Sequence, residues 1–416
     1  MNNPRRRRST AASCLAMTGA LLAAGCGGGA EEEPTGSAAA ASALTGAPVK
    51  VMVWAPENTQ GSAQPGVRIT AQAYEKWINA NGGIKGGPLK VLTCNEKNDP
   101  DEAENCAQQA VSEKVVAVVG SYSLAGDRYM PILEKAGIPY IGGTGVSAAE
   151  FSNPLSFPVN GGTPVVFAAH GQQLVEAGCE KISGVRYDVA AAAIVSQFLG
   201  LGATSAGGKP PKDLKVPVTA TDLAPQVAAA TRDSDCVSVI LGTHSDLFVK
   251  AYVQSGAKTE LGSVVGNLTP ELAATTGGSG SPLDGSAITG YYPPLSDPAW
   301  KDAVSALEGK DVDLSNGANA TTWVAFKVFS EAAGKLPEIT SKALVKELNT
   351  SKGIDTGGLT PPLTWTDATA LPMKGLNRIH NTTATELVLK DGKIEWAESG
   401  SDFVDMRKAL TAASSG

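Results

Sequence analysis

VVAVVGSYSLAG, residues 115–126, decides the fold class. Val115 to Val119 are apolar at every position, so a strand built from them has no face for water and belongs inside a sheet covered on both sides. Gly120 and the polar Ser121-Tyr122-Ser123 then stop the run. Such a strand predicts a parallel α/β sheet, and the flanking sequence alternates to match.

Upstream, KVMVW (50–54) predicts a strand. It is followed by a helix on which Thr70, Ala73, Tyr74, Trp77 and Ile78 recur at helical spacing until Gly82-Gly83 ends it. LKVLT (89–93) predicts the second strand. Asp99-Pro100-Asp101-Glu102 then supplies an N-cap, a proline at the first helical position and an acid reaching back. Downstream, a helix through Leu133 leads to a fourth strand, IPYIGG (138–143).

After Asn153-Pro154 the alternation restarts. A helix over about 164–178 precedes the strand KISGVRY (181–187), and an Ala-rich helix over 189–201 precedes LKVPVT (214–219). A helix near 223–232, the strand CVSVILG (236–242), a helix over 246–256 and the strand GSVVGN (262–267) complete the unit. Helices over 299–308, 316–333 and 340–349 run into GLTPPLTW (358–365) and a terminal hairpin, TELVLKDGKIEW (385–396), turned at Asp391-Gly392. Two doubly wound units in series without a sequence repeat predict an α/β protein of two parallel-sheet lobes.

The amino end has a different character. Arg5 to Arg8 precede an apolar, small-residue run from Ala11 to Ala24, the arrangement of a secretory signal peptide over 1–25. The run is shorter than the ~20 residues a helix needs to span a bilayer. Leu22-Ala23-Ala24-Gly25-Cys26 resembles a bacterial lipobox, which makes Cys26 the expected lipidated N-terminus. Cleavage of an ordinary signal peptide nearby is the alternative, and the arginines raise the twin-arginine export route beside the general one, with Ser9-Thr10 where that route usually has an apolar pair. Residues 26–48 hold almost no large apolar side chain, so a flexible tether is expected there.

Of 416 residues, 34 are basic and 41 acidic, a formal charge of −7 that excludes a generic nucleic-acid binder. Removing residues 1–25 takes away four arginines and no acid, leaving 30 basic against 41 acidic, or −11. Of six cysteines, Cys14 falls in the signal and Cys26 is the lipid candidate, which leaves Cys94, Cys106, Cys179 and Cys236. An even number in an exported chain predicts two disulfides. Cys179 and Cys236 precede the first and third strands of the second unit, neighbours in a 2-1-3 order at about 4.8 Å, within the Cα range a disulfide permits. Cys94 ends a strand and Cys106 lies in the next helix. The pairing 94–106 and 179–236 is therefore expected, with free buried thiols as the alternative.

Catalytic and metal signatures are missing. The three histidines, His170, His244 and His380, have no metal-ligand spacing, and there is no Gly-x-Ser-x-Gly elbow. Gly207-Gly208-Lys209 is followed by Pro210 where a phosphate loop needs Ser or Thr, and no dinucleotide fingerprint follows the first strand. No metal, no cofactor and no enzymatic activity are expected.

Several phrases together resemble the type I solute-binding proteins of ABC transporters, the leucine/isoleucine/valine-binding family. They are VKVMVWAPE at the first strand, INANGGIKGGPLKV, VVAVVGSYSLAG, AGIPYIGGTGVS, NATTWVAFKVFSEAAGKL and TGGLTPPLTWT, and the resemblance runs from Pro48 to about Trp396. It implies two lobes, 49–158 with 293–360 and 159–292 with 361–416, joined by crossovers near Phe157–Val159, Tyr291–Pro294 and Gly358–Pro362. The ligand would sit at the carboxyl ends of the strands, as open α/β sheets arrange it.

Position by position, the resemblance implies that Ser121, Tyr122 and Ser123 receive a ligand carboxylate. Thr144, Gly145 and Ser147 form the next loop, with Val146 where the family carries a hydroxyl. In the second lobe it points to Tyr187, His244 and Asn267. Amino-acid binders of the family often place a carboxylate at the last position, so the ligand either lacks a free α-ammonium or pairs it with Asp188 or Asp246. The expected function is a lipid-anchored, monomeric receptor that hands a small polar solute to ABC permease subunits. That solute would be a branched-chain amino acid or a related amide, urea or organic acid. A sensing receptor with a signalling partner and an exported hydrolase are the alternatives.

Overall fold

A computed structural model describes residues 44–59, 63–189, 192–398, 400 and 402–412. The expected signal segment, Cys26 and the tether up to residue 43 lie outside the described residues.

The first sheet is parallel throughout. Its strands β1 (Val49–Ala55), β2 (Leu89–Asn95), β3 (Ala117–Val119), β4 (Tyr140–Ile141) and β5 (Ser156–Phe157) lie in the order β2-β1-β3-β4-β5. Helices α1 (Pro65–Ala80), α2 (Pro100–Ser112), α3 (Gly126–Ala136) and α4 (Ala148–Ser152) connect them. The Asp99 carboxylate accepts from the amides of Asp101 and Glu102 and starts α2. The INANGGIKGG phrase is a turn that only glycine allows: Gly83 has φ +65°, and a Cβ on it would meet the Gly87 carbonyl oxygen at 2.2 Å. The chain is held here from Gly46, whose N–H donates to the Gly86 carbonyl at 2.9 Å, so the last residues of the expected tether are bonded to the fold while staying exposed.

The second unit repeats the order. After α5 (Gly162–Glu176) come β6 (Ile182–Tyr187), α6 (Ala193–Ser205), β7 (Lys212–Val216), α7 (Ala224–Thr231), β8 (Cys236–Ile240), α8 (Ser245–Ser255), β9 (Glu260–Val264), α9 (Pro270–Thr275) and β10 (Ser286–Gly290). β7-β6-β8-β9-β10 are parallel neighbours. The strand expected over 214–219 stops at Val216, because Pro217 has no N–H to give a ladder. The chain then adds α10 (Lys301–Leu307), α11 (Gly317–Gly334) and α12 (Ser341–Thr350) to the core of the first sheet. α11 lies buried against α1, where Trp323 meets Tyr74 edge-on at 4.8 Å. Finally β11 (Thr383–Lys390) pairs antiparallel with β10, with β12 (Lys393–Trp396) and with β13 (Phe403–Asp405), and α13 (Arg407–Ala412) ends the described chain. Asp391 and Gly392, both at positive φ, make the hairpin turn.

Disulfides join Cys94 to Cys106 and Cys179 to Cys236, with Cα separations of 5.7 and 5.8 Å. The chain passes between the sheets three times, and the passages are bonded to one another. Asn160 donates to the Tyr292 hydroxyl at 2.9 Å, Asn381 donates to the Val159 carbonyl at 3.0 Å, and the Trp365 indole donates to Pro158 at 3.1 Å. Leu363 and Trp365, just after the expected crossover, pack in the core of the first sheet. Among the described residues no helix is long and apolar enough to cross a membrane.

Candidate functional site

The loops at the carboxyl ends of the two sheets carry the residues singled out from the sequence. In the first lobe the loop after β3 turns at Gly120, where φ is +67° and a Cβ would press on the Thr322 backbone at 2.9 Å. Helix α11 therefore sets this loop's position. The Ser121 hydroxyl accepts the Trp54 amide at 3.1 Å, and the Tyr122 amide donates to the Trp54 carbonyl at 2.9 Å. The Ser123 hydroxyl accepts from the Ala125 amide and donates to Glu96, a fully buried carboxyl that burial pushes above the ordinary range.

The loop after β4 is bonded to this one through the Thr144 amide, which donates to the Ser121 carbonyl at 3.2 Å. Its far end is fixed by Glu150. One carboxylate oxygen accepts from the Val146 amide at 3.1 Å, the Ser147 amide at 2.9 Å and the Ser147 hydroxyl at 2.8 Å. The other accepts from the Tyr129 hydroxyl at 2.9 Å, with the Tyr140 hydroxyl at 3.2 Å. Burial pushes the Glu150 carboxyl up, while the donors from Val146 and Ser147 hold it back. Burial, with the Glu150 charge beside them, drives the Tyr129 and Tyr140 hydroxyls well above the usual tyrosine range. Gly145 fits because a Cβ there would lie 2.6 Å from the Phe151 ring.

Four hydroxyls thus stand in these two loops besides that of Tyr122. Ser121, Ser123 and Ser147 are each committed within the fold. The Thr144 Oγ1 is buried and has no hydrogen-bond partner among the described residues. A buried hydroxyl without a partner is costly by about 1–3 kcal/mol, so the position is paired only when something else enters the loop.

In the second lobe, β6 ends at Tyr187 and β8 leads to His244 at the start of α8. The Tyr187 hydroxyl lies 2.6 Å from the Leu241 carbonyl and 2.6 Å from Nδ1 of His244, whose ring meets it edge-on. A hydroxyl has one proton and a carbonyl only accepts, so Tyr187 donates to Leu241 and Nδ1 of His244 carries a hydrogen toward Tyr187. In the neutral ring Nε2 is then the acceptor. Asn267 is committed to the backbone: its Oδ1 accepts the Gly242 amide at 2.8 Å and its Nδ2 donates to the Val264 carbonyl at 3.2 Å. It ties the β8 loop to the end of β9. The structure therefore gathers the sequence candidates into two sets, 121–147 and 187–267, each bonded within its own lobe.

Glu96, Glu150, Tyr129 and Tyr140 were not among the sequence candidates, yet they hold the first set in place. Ser147-Ala148-Ala149-Glu150 carries the signal, since Ser-x-x-Glu is a capping box and α4 begins with one.

With two parallel sheets, three passages and paired carboxyl-end loops in place, residues 49–377 match the family model described as periplasmic binding protein. The chain belongs to that family. No curated protein matches the sequence. Among solved structures, this periplasmic binding protein is similar to the leucine-binding protein LivK of Thermotoga maritima, with a TM-score of 0.67 at 19% identity over 86% of this chain and 99% of the other. It is also similar to the substrate-binding protein LivJ of Streptococcus pneumoniae in complex with isoleucine, TM-score 0.67 at 17% identity over 86% and 99%. A fatty acid ABC transporter substrate-binding protein from Thermomonospora curvata matches with a TM-score of 0.65 at 14% identity over 87% and 92%. At these identities the likeness establishes the type I fold, with two α/β lobes and a three-passage hinge.

Proposed function

We propose that this periplasmic binding protein is the exported, lipid-anchored solute receptor of an ABC importer, monomeric and tethered through Cys26. It takes a small polar solute between its lobes and presents it to permease subunits. The buried hydroxyl of Thr144, without a partner among the described residues, carries this reading, because the neighbouring serine hydroxyls are committed and it stands at the end of the sheet where α/β folds bind ligands. Only a solute touching both loop sets stabilises the closed arrangement over the open one.

The chemistry of the loops narrows the solute. Structural neighbours are named for leucine, for isoleucine and for fatty acids, so the fold does not choose among them. Asn267 brings no charge and is bonded to backbone. Asp188 lies 3.7 Å from Lys215, and Asp246 is exposed in the first turn of α8, where it complements the helix N-terminus. Because Asn267 brings no charge, Asp188 sits beside Lys215 and Asp246 beside the amino end of α8, a branched organic acid or amide fits better than an α-amino acid. Leu124, Val146 and Val189 are large apolar side chains left exposed on the loops after β3, β4 and β6, and they suit an apolar substituent on that solute.

A thermal-shift panel of short branched acids, their amides, ureas and the matching amino acids tests the reading. A rise in melting temperature with an acid or amide is expected. No shift with any of them at millimolar concentration would contradict it.

A further inference from the structure

A cavity of about 450 Å³ lies beside the carboxyl ends of β9 and β10, between the crossover 291–296, the amino end of α11 and the β11–β12 hairpin. Tyr291, Tyr292, Trp300, Leu314, Leu387 and Ile394 are the large apolar and aromatic side chains in its wall. None of the candidate loop residues lines it, although Val265 stands two positions before Asn267. Trp300 and Leu314 belong to the core of the first lobe and Leu387 to that of the second, so an occupant touches both.

The polar groups of the wall are nearly all accounted for. The Tyr292 hydroxyl donates to Thr321, the Trp300 indole to the Pro293 carbonyl, the Ser296 hydroxyl to Glu395 and the Ser315 hydroxyl to Asp313. Lys393 and Glu395 bring one charge of each sign. Among the described residues the Tyr291 hydroxyl has no hydrogen-bond partner, and burial raises its pKa, so it stays a donor. A wall of this kind rejects ions and offers one hydrogen bond.

We propose that this cavity is a binding site for a small, uncharged, mainly apolar molecule that carries one hydrogen-bond acceptor for Tyr291. At the ~30 Å³ a water molecule takes up in the liquid, the cavity has room for on the order of ten to fifteen non-hydrogen atoms. The proposal does not depend on the solute reading of the carboxyl-end loops, and its failure would leave that reading untouched.

Two probes of nearly equal size separate the terms: 4-phenyl-2-butanone, which has an acceptor, and butylbenzene, which has none. Binding of both to the purified protein is measured by ligand-observed NMR titration. Tyr291→Phe is expected to weaken the ketone about tenfold, the size of one hydrogen bond, and to leave butylbenzene unchanged. Ala320→Leu fills the cavity from α11 and is expected to weaken both probes by more than tenfold. Absence of binding up to the solubility limit overturns the proposal, and so does equal binding by wild type and Ala320→Leu. A crystal soaked with 4-bromoacetophenone gives an answer that needs no variant. Bromine signal against Tyr291 supports the site; signal elsewhere or nowhere refutes it.

Discussion

The Tyr187 hydroxyl sits 2.6 Å from Nδ1 of His244 and joins the ends of two neighbouring strands, β6 and β8, through one shared proton network. The bond fixes which nitrogen of His244 is left to accept. Tyr187→Phe removes it and leaves the buried Leu241 carbonyl without this donor. A stability loss of about 1–2 kcal/mol by urea unfolding is expected, together with weaker solute binding from the freed imidazole. Unchanged solute affinity in the variant would remove His244 from the binding set.

Thr144→Val separates function from folding. The Thr144 hydroxyl has no partner among the described residues, so replacing it with a methyl group costs none of the hydrogen bonds seen there. The variant is expected to match or exceed wild-type stability while losing about tenfold in solute affinity, a change of ~1.4 kcal/mol. Ser121→Ala serves as the opposite control, since its hydroxyl accepts the Trp54 amide and its loss lowers stability.

Glu150→Gln tests the support beneath that loop. The carboxylate receives donors on both oxygens, and an amide turns an N–H toward one set of them. A loss of about 2–4 kcal/mol is expected, with looser solute binding as the 144–147 loop slackens. Calorimetric unfolding reads the first and titration the second.

Acid should unfold the protein through its histidines. Burial pulls His170 down to about 3 and, with Arg378 and Arg407 adding to the effect, His380 down to about 4. Both folded values lie below the ordinary ~6.5, so the unfolded chain takes up these protons first. The contribution is complete above pH 6.5 and is lost as pH falls toward 4, at up to about 1.4 kcal/mol per pH unit for each histidine. Urea midpoints from pH 7 to 4 should show this slope, and His170→Gln should flatten it. An unaltered slope in the variant would rule out His170 as the source.

The two disulfides differ in reach. Cys94–Cys106 closes 12 residues and Cys179–Cys236 closes 57, which in the chain-entropy account corresponds to about 3 and about 4 kcal/mol. Replacing the second pair with alanine is expected to lower stability more than replacing the first. Thiol counting by mass spectrometry on exported protein checks that both bonds form.

Much of the scaffold is legible in the chain because its signals are local. The apolar run at 115–119, the Asp99 cap and the Asp391-Gly392 turn each lie within a few residues of the structure they cause. β5 is two residues long and β10 is SAITG, too short and too mixed to announce a strand without the neighbours that pair with them. The site is harder for the same physical reason. Whether a loop hydroxyl is committed depends on partners such as Trp54, 67 residues from Ser121, or Glu96, 27 residues from Ser123. Ser147 and Asn267 read from sequence as ligand-facing polar groups, and their further parts in the fold, capping α4 and tying two loops, are not visible in the sequence.

Hydrogen exchange with and without the solute that gives the largest thermal shift tests the central claim most directly. A receptor that closes on its solute should gain protection in both loop sets at once, 120–123 with 144–147 and 187–189 with 241–244 and 265–268. Protection confined to one lobe, or none, would contradict a solute held between the two.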